Sequence, residues 1–432
     1  MMRITLLNTF DIAGGAARAA YRLHQGLRDI GVPHHFLVAR KDSDDPDITP
    51  VRPRDAAEQA AWAAREGEGQ AELAAYPALQ GPGFVPFHSG LAGRADLLED
   101  RLPPTDIFHL HWVRGLVDWP LFFRRRRPDQ GLVWTLHDQN PFTGGCHYAD
   151  ACRGFTAACG CCPALGSAVA DDLSALVLAR KRAALAAFPG PVHLVSPSRW
   201  LAAEASNSRL FAGLPIHVIP NAVDIRTLVP VDGAPLRHRL GIADDVLTLG
   251  FVSHLLADPR KGLDLLMQAL NQLAPSLPDR LALLVAGEGE VPPVPLSVPC
   301  FNAGPQSGDA DLCGFYATCD LLVVPSRQDN LPNVVLEAMA CARPVVGFDS
   351  GGVPDMIVPG VTGFLAPGSD ADGLAVALAA AVRRRADLPA MGWAGRQRAE
   401  RDYAPAVQAQ RYAALYAVVD RERVDRHKKG RQ

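Results

Sequence analysis

The sequence has no apolar run of the roughly 18 residues needed to cross a bilayer. Its N-terminal segment MMRITLLNTFDIAGG passes from a short apolar run into a glycine turn and lacks the long apolar region of a signal peptide. No charge sign dominates, since 43 Lys and Arg stand against 46 Asp and Glu, for a net charge of −3. We therefore expect a cytosolic protein that has no nucleic acid partner and binds any anion at a local site.

The sequence also lacks an even, dispersed set of cysteines. Five of the nine cysteines lie between residues 146 and 162, which indicates a local thiol cluster rather than a secreted disulfide framework. The spacing C-x5-C-x6-C-x2-C fits a structural zinc ion held by four thiolates, those of Cys146, Cys152, Cys159 and Cys162. His147 could replace one of them. Buried free thiols, or a disulfide in an oxidising compartment, are the alternatives.

Short aliphatic runs such as MRITLLN, LVWTLHD and DLLVVPS alternate with Ala- and Leu-rich helical stretches along the chain. This alternation predicts an α/β protein of doubly wound parallel sheets with both faces covered. A chain of 432 residues is too long for one core, and a proline-rich stretch at 220–240 without an apolar face predicts the linker. We expect domains at 1–225 and 226–403, followed by a helix and basic tail at 404–432.

Two surface segments give local predictions. Residues 55–80 are an Ala-rich helical stretch that we expect to be a peripheral insertion, broken at the EGEG sequence. Residues 124–127 are four consecutive arginines after two phenylalanines. A solvated basic turn is the simpler interpretation, and contact with anionic lipid headgroups is the alternative.

The stretch from residue 319 to 352 contains an apolar strand, the polar loop RQDN, a helix and a glycine pair. Ligands of doubly wound domains bind at the carboxyl ends of the strands, and a helix beginning there presents free N–H groups that suit a phosphate. Asp329 precedes this helix and Glu337 lies about one and a half turns into it. Carboxylates at these places can accept hydrogen bonds from sugar hydroxyls, whereas a solvated Glu on an ordinary helix is the alternative.

This stretch resembles the donor-site signature of glycosyltransferase family 4, the retaining nucleotide-sugar transferases of the GT-B fold. The similarity includes the spaced carboxylates, the PVV strand, the glycine pair Gly351 and Gly352, and the TGFL sequence. The resemblance implies that Asp329 contacts the transferred sugar and Glu337 the ribose. It also implies a diphosphate site on the intervening backbone, at Asn330, Leu331, Pro332 and Asn333. Many members have Glu at the first position, and Asp329 is one methylene shorter.

Basic residues for the phosphates are expected in the segment DPRKGLDLLMQAL. Lys261 precedes an amphipathic helix, where its ammonium could neutralise a leaving diphosphate, although an isolated lysine is usually solvated. The resemblance supports the functional interpretation, because the family has a Lys-Gly pair at this place. Many relatives carry an additional Arg several residues earlier, which this sequence lacks, and the candidates to replace it are Arg260 and His254.

The N-terminal half carries weaker signals of the same kind. Gly14 and Gly15 join the first strand to the first helix, which would allow a phosphate or sugar close to the backbone, or would simply form a tight turn. The T-x-H-D strand end resembles the family's cleft and implies that His137 contacts the transferred sugar, with Asp138 as an orienting residue. His111 is a secondary candidate, although a histidine in a strand is usually a core residue.

Together these observations predict a GT-B protein, two Rossmann-like domains facing a central cleft. The resemblance implies donor binding by the C-terminal domain and binding of a glycan or lipid-linked glycan acceptor by the N-terminal domain, which holds the Cys-rich insert 144–165. The enzyme that the resemblance implies is a retaining hexosyltransferase of cell-surface polysaccharide biosynthesis that requires no catalytic cofactor. We expect it in the cytoplasm, with a peripheral location at the inner face of the membrane as the alternative. A sugar-nucleotide epimerase or hydrolase, or a non-catalytic sugar-nucleotide-binding module, are the alternatives.

Overall fold

The computed structural model describes residues 2–80, 87–90, 93–276, 280–306 and 308–429. It divides into two compact units: unit 1 is Met1–Pro220 with Gln408–Gln432, and unit 2 is Asn221–Val407. The domain boundaries predicted from the sequence lie a few residues from these, after residue 225 and after residue 403. Val223 explains the first difference, because its side chain is buried in the core of unit 2 and its N–H donates to the Tyr403 carbonyl at 2.9 Å.

Unit 1 is built on a parallel sheet whose strands in spatial order are β3-β2-β1-β4-β5-β6-β7. These strands are β1 (Ile4–Phe10), β2 (His34–Arg40), β3 (Ile48–Pro50), β4 (Ile107–Leu110), β5 (Gly131–Thr135), β6 (Val192–Ser196) and β7 (Ile216–Val218). The helices between them are α1 (Gly15–Asp29), α2 (Ala56–Ala74), α3 (Ala95–Glu99), α4 (Trp119–Arg124), α5 (Leu173–Ala186) and α6 (Arg199–Asn207). Strands β4 and β5 are buried along their whole lengths, as parallel strands covered on both faces should be.

Unit 2 has a second parallel sheet in the order β10-β9-β8-β11-β12-β13. Its strands are β8 (Leu247–Leu255), β9 (Leu281–Glu288), β10 (Cys300–Asn302), β11 (Leu321–Val324), β12 (Val345–Phe348) and β13 (Gly363–Ala366). Its helices are α7 (Ala234–Leu240), α8 (Leu263–Leu273), α9 (Asp309–Thr318), α10 (Asn333–Ala340), α11 (Val353–Met356), α12 (Ala371–Arg383) and α13 (Leu388–Asp402). The strand order reverses direction at β8, so the loops after β8 and β11 lie at the point where doubly wound folds bind ligands.

The last helix, α14 (Pro405–Lys429), begins in unit 2 and belongs to unit 1 from Gln408 onward. Its aromatic residues pack into the core of unit 1. The Tyr412 hydroxyl is 2.8 Å from Thr135 Oγ1, and the Tyr416 hydroxyl is 2.7 Å from His109 Nδ1. These buried hydrogen bonds join the C-terminal helix to strands β4 and β5, so His109 is a core residue.

The predicted break at EGEG is wrong, because α2 continues through both glycines to Ala74. A glycine in a helix costs only about 1 kcal/mol relative to alanine, and the surrounding alanines favour the helix. The Asp55 side chain also caps its start by accepting a hydrogen bond from the Glu58 N–H at 2.9 Å. No residue of α2 is fully buried, so the helix lies on the surface of its unit.

Arg124 is the last residue of α4, and the three arginines that follow it each have an acidic partner. Arg126 is paired with Glu99, Arg125 with Asp96 at 2.8 Å and Arg127 with Asp129 at 2.9 Å. This arrangement favours the interpretation as a basic turn. Over the part of the chain that the structure describes, no helix combines the length and the apolar character that crossing a membrane requires.

Candidate active site

The clearest cluster of predicted residues lies at the carboxyl end of β11 in unit 2. Asp329 is only 7% exposed, and its Oδ2 accepts from Lys261 Nζ at 2.5 Å and from Arg260 Nη1 at 3.3 Å. Burial alone would raise the pKa of Asp329, but the positive charges of Lys261 and Arg260 outweigh it and lower that pKa. Asp329 is therefore a charged carboxylate at neutral pH, held beside two cations.

Two glycines allow the backbone segments of this cluster to approach each other. Gly262 follows Lys261 with φ of 74°, and a Cβ there would lie 2.0 Å from the Pro325 carbonyl oxygen. Gly351 has φ of 58°, and its Cβ would lie 2.2 Å from the Asp329 carbonyl oxygen. Both positions need glycine for conformation and for space. The Lys-Gly and Gly-Gly sequences therefore hold the loops on either side of Asp329.

Pro332 occupies the N-cap position of helix α10, which begins at Asn333. The predicted diphosphate segment Asn330, Leu331, Pro332 and Asn333 is thus the loop leading into the helix and its first residue. Glu337 lies in the second turn, is 3% exposed, and accepts from the Tyr316 hydroxyl at 3.2 Å. The solvated-Glu alternative is therefore wrong, because Glu337 is buried and hydrogen-bonded.

The two candidates for the additional cation have different surroundings. Arg260 bonds to Asp329 and also donates to the Gln328 carbonyl at 3.3 Å. His254 lies on the exposed end of β8, with Nδ1 3.9 Å from a carboxylate oxygen of Glu288. Arg260 is therefore the basic residue that the structure brings to Lys261 and Asp329.

In unit 1, the β1–α1 turn contains the predicted glycine pair. Gly14 has φ of 89°, and no atom of the described residues lies within 4 Å of the place where its side chain would be. Helix α1 begins at Gly15. The turn is thus open at Gly14, and the positive φ is the reason for glycine at that position.

The predicted histidines at the ends of β4 and β5 lie side by side. His111 Nδ1 is 3.1 Å from His137 Nε2, and the two rings are stacked with their centroids 5.3 Å apart. Burial lowers the pKa of His137 to about 4 and that of His111 well below its ordinary value. Both imidazoles are neutral near pH 7, so His137 can exchange hydrogen bonds with a hydroxyl but carries no charge for a phosphate.

Asp138, the predicted orienting residue, is hydrogen-bonded to three of its neighbours. Its Oδ2 accepts from Trp112 Nε1 at 3.1 Å and from His147 Nδ1 at 2.6 Å, and its Oδ1 accepts from the Asn140 N–H at 2.9 Å. Burial raises the pKa of Asp138, but His147 and the hydrogen bonds lower it overall. His147 Nε2 continues the chain to His88 Nδ1 at 2.8 Å. His147 is therefore committed to this network, and His88 is a member that no sequence pattern indicated.

Of the four cysteines predicted to bind zinc, Cys146 and Cys162 form a pair. The Cys146 and Cys162 thiols are hydrogen-bonded, which raises the pKa of Cys146 and lowers that of Cys162. The sulfur atoms of Cys152 and Cys159 both lie within 4 Å of the position of a Cβ on Gly154. Electrostatic interactions connect Cys146 with the other three. The thiol chemistry suits zinc, but no three of these sulfur atoms lie within 4.8 Å of one another.

In the described ranges, the group that does bring three metal-binding atoms that close together is His24, Asp45 and Asp47. The Arg28 guanidinium bridges its two carboxylates at 3.3 and 3.1 Å. A cation therefore already compensates this group, and the zinc site at the cysteines stays a prediction.

Metal analysis tests that prediction. If the four thiolates bind zinc, purified protein holds about one equivalent, and Cys159→Ser loses the metal together with thermal stability. Cys161→Ser is the matched control, because Cys161 lies in the same segment, is exposed and stands outside the predicted set. Metal-free protein of unchanged stability, or equal metal loss in both variants, would contradict the zinc site.

Comparisons with known proteins show which families and folds the chain is similar to. Residues 246–384, which include Lys261, Asp329 and Glu337, match the family described as Glycosyl transferases group 1. The chain is 35% identical over 190 residues to the D-inositol 3-phosphate glycosyltransferase of Geodermatophilus obscurus, covering 40% of this chain and 41% of that one. It spans less than half of the length of the first curated relatives it matches.

Two further comparisons extend over most of the chain. The putative colanic acid biosynthesis glycosyl transferase WcaC of Escherichia coli K12 is 26% identical over 377 residues, covering 81% of this chain and 84% of that one. The structure of Anabaena HepE in complex with UDP-glucose superposes with a TM-score of 0.64 at 18% identity, covering 97% of this chain and 100% of that one. The chain has the GT-B fold. Its two parallel-sheet units correspond to the two Rossmann-like domains of a GT-B protein.

Proposed function

We propose that this GT-B protein is a retaining glycosyltransferase of family 4, which moves a sugar from a nucleotide diphosphate sugar to an acceptor hydroxyl. One observation carries the proposal: Lys261 and Arg260 converge on the buried Asp329 at the carboxyl end of β11, next to the start of α10. Cations at this place can neutralise a diphosphate, and a buried carboxylate can accept hydrogen bonds from sugar hydroxyls.

The remaining site residues take roles that follow from their surroundings. The start of α10 offers its N–H groups to the diphosphate, and the helix dipole adds to the attraction. Glu337, buried in the second turn of the helix, accepts hydrogen bonds from the ribose. His137, a neutral imidazole, hydrogen-bonds the transferred sugar. No side chain is cast as a nucleophile, because a retaining front-face substitution lets the leaving phosphate accept the proton of the acceptor.

The proposed pathway is cell-surface polysaccharide biosynthesis. Its support is the similarity to WcaC, whose name refers to colanic acid biosynthesis, over 81% of this chain. The acceptor is then a glycan or a lipid-linked glycan.

The direct test of the proposal is to measure how much Glu337 contributes to binding of the donor. The wild-type protein is titrated with a panel of nucleotide diphosphate sugars, and the best ligand is then titrated into Glu337→Ala. We expect donor affinity to fall by about 1–3 kcal/mol, because the ribose hydroxyls lose a buried acceptor. Tyr316→Phe is the control, since it removes only the hydroxyl that bonds to Glu337.

The outcomes separate the proposed function from its alternatives. Donor affinity that is unchanged in Glu337→Ala would refute the role of that residue. Product formed from the nucleotide sugar without any acceptor would indicate an epimerase or hydrolase, and binding without turnover would indicate a non-catalytic module.

A further inference from the structure

Unit 1 contains a cavity of about 270 Å³ beside the carboxyl ends of β1 and β2. Phe10 and Arg40, the last residues of these strands, line one side. Helix α2 covers the other side with Trp62 and Leu73, which are eleven residues apart and therefore lie close to one face of the helix. Trp112, which follows β4, completes an aromatic lining. The surface helix that the sequence suggested was only peripheral thus forms a wall of this cavity.

Arg94 lines the cavity although it is only 6% exposed. Its guanidinium carbon lies 3.9 Å from the centre of the Trp62 ring. Within the described parts of the chain, neither Nε nor Nη1 of Arg94 has a hydrogen-bond partner. Stacking on Trp62 covers one face of the guanidinium and leaves the N–H groups at its edge available.

A buried guanidinium with unpaired donors is costly unless an anion compensates it. Burial lowers the pKa of Arg94 to about 10, so the side chain remains positively charged at neutral pH. A charged arginine that is buried and has unpaired N–H donors is better explained by a bound anion than by packing alone.

The backbone around Arg94 is held in place on both sides. The Arg94 N–H donates to the Leu116 carbonyl at 3.0 Å. A Cβ on Gly93 would lie 2.2 Å from the carbonyl carbon of Val117, so this position needs glycine. Ala95 has φ of 39°, a conformation that costs energy for a residue other than glycine. The position of the guanidinium is therefore maintained despite local strain.

The other charges of the cavity also favour an anion. Arg114 lines it, and so does Arg65, which is paired with Asp118 at 3.0 Å. Glu66 is the one carboxylate among the lining residues that the structure describes. Positive charge therefore exceeds negative charge around the space that Arg94 faces.

We propose that this cavity binds an oxyanion group of the acceptor, a carboxylate or a phosphate carried by a saccharide, and that Arg94 contacts it. The aromatic lining explains why the ligand is more than a free anion, since Trp62 and Trp112 offer apolar surface to a sugar ring. The inference rests on the proposed function, because it names the class of acceptor that the transferase uses.

Titration calorimetry on the 432-residue chain tests the inference with three probes: methyl β-glucuronide, glucose 6-phosphate and methyl β-glucoside. We expect at least one of the two anionic sugars to bind and the neutral one to bind at least about tenfold more weakly. The stronger anionic probe distinguishes a carboxylate from a phosphate. Equal binding of the neutral sugar, or no binding of either anionic sugar, overturns the inference.

Variants assign the binding to Arg94. Arg94→Gln should weaken binding of the anionic sugar at least about tenfold, whereas the control Arg180→Gln, at an exposed arginine outside the cavity lining that pairs with Glu72 of α2, should change it less than about threefold. Glu66→Gln removes the opposing carboxylate from an exposed position and should strengthen binding about threefold. This second variant keeps the test valid if Arg94→Gln does not fold. Unchanged affinity in Arg94→Gln, or in Glu66→Gln, overturns the inference.

Nucleotide titrations on the same preparations keep the two proposals apart. A protein that binds nucleotide sugars in unit 2 but shows no preference for anionic sugars retains the proposed function and loses this inference. A protein that binds anionic sugars through Arg94 but no nucleotide diphosphate sugar loses the proposed donor site.

Discussion

Lys261→Ala should lower sugar transfer, measured as kcat/KM with the best donor of the panel, by about 100- to 1,000-fold. Removing one preorganised charge that stabilises a developing anion typically has an effect of this size. Lys261 has no counterpart that could take over fully, because Arg260 is 3.3 Å from Asp329 and also bonds to Asp258. The stabilisation of the protein by the nucleotide, measured as a thermal shift, should fall as well.

Arg327→Ala is the matched control for this variant. Arg327 lies in the same loop as Asp329, but its guanidinium is paired with both carboxylate oxygens of Asp264, at 3.0 and 2.6 Å. Its removal should change kcat/KM by less than about threefold. Activity of Lys261→Ala within threefold of wild type would contradict the assignment of Lys261 to the diphosphate.

Loss of stability has to be separated from loss of catalysis, because Lys261→Ala also removes a partner of a buried carboxylate. The pKa of Asp329 is lowered in the folded protein, so Asp329 stabilises the fold above its unfolded pKa of about 3.9, and this contribution is lost as pH falls through the folded pKa. The double variant Lys261→Ala/Asp329→Asn has no buried carboxylate that has lost the positive charge of Lys261. We expect it to recover stability at pH 7 relative to Lys261→Ala, without recovering transfer.

The sequence predicts the sheets well where strands are long and apolar. The run LVWTLHD covers all of β5 except its first residue, and DLLVVPS contains β11; the side chains of both strands are buried on both faces. The three-residue strands β3 and β10 escaped prediction because they lie at the edges of their sheets and are defined by backbone pairing rather than by side-chain pattern.

The site was predictable to the extent that fold topology brings residues together. Lys261 and Asp329 follow β8 and β11, which are neighbours in the sheet, and His111 and His137 follow the neighbours β4 and β5. The burial of isolated basic residues could not be predicted from the sequence in the same way, because it does not follow from the order of the strands. The burial of Arg94 depends on its contact with Trp62 of helix α2, and the sequence around Arg94 gives no sign of such a contact.

Lys181 is the most extreme of these buried residues. It lies in the sequence ARKRA, which reads as a solvated basic segment, yet it is fully buried. Its Nζ donates to the Asn140 carbonyl at 2.6 Å and to the Thr143 carbonyl at 3.1 Å, which ties α5 to the loop after Asp138. Burial lowers the pKa of Lys181 to about 7.

The free energy of unfolding should therefore rise between about pH 7 and pH 10. In this window the unfolded chain keeps the Lys181 proton while the folded chain has released it, and stability increases with pH wherever the unfolded state binds more protons. The free-energy penalty of burying the charged Lys181 is fully present below pH 7. It decreases as the pH rises towards the pKa of about 10.4 that the lysine has in the unfolded chain. The whole change in pKa, from 10.5 to about 7, corresponds to about 5 kcal/mol.

Urea unfolding of the wild type and of Lys181→Met across this pH range measures the effect. Lys181→Met should be destabilised at pH 9, because two buried carbonyls lose their donor at about 1–3 kcal/mol each, and its deficit should shrink towards pH 7. The difference between the two curves cancels the titration of other groups. Arg180→Met is the control, since Arg180 is the preceding residue and pairs at the surface with Glu72 at 3.1 Å. If the free energy of unfolding varies with pH in parallel for wild type and Lys181→Met, Lys181 keeps its proton in the folded protein. Its hydrogen bonds then stabilise the charged form more than burial destabilises it.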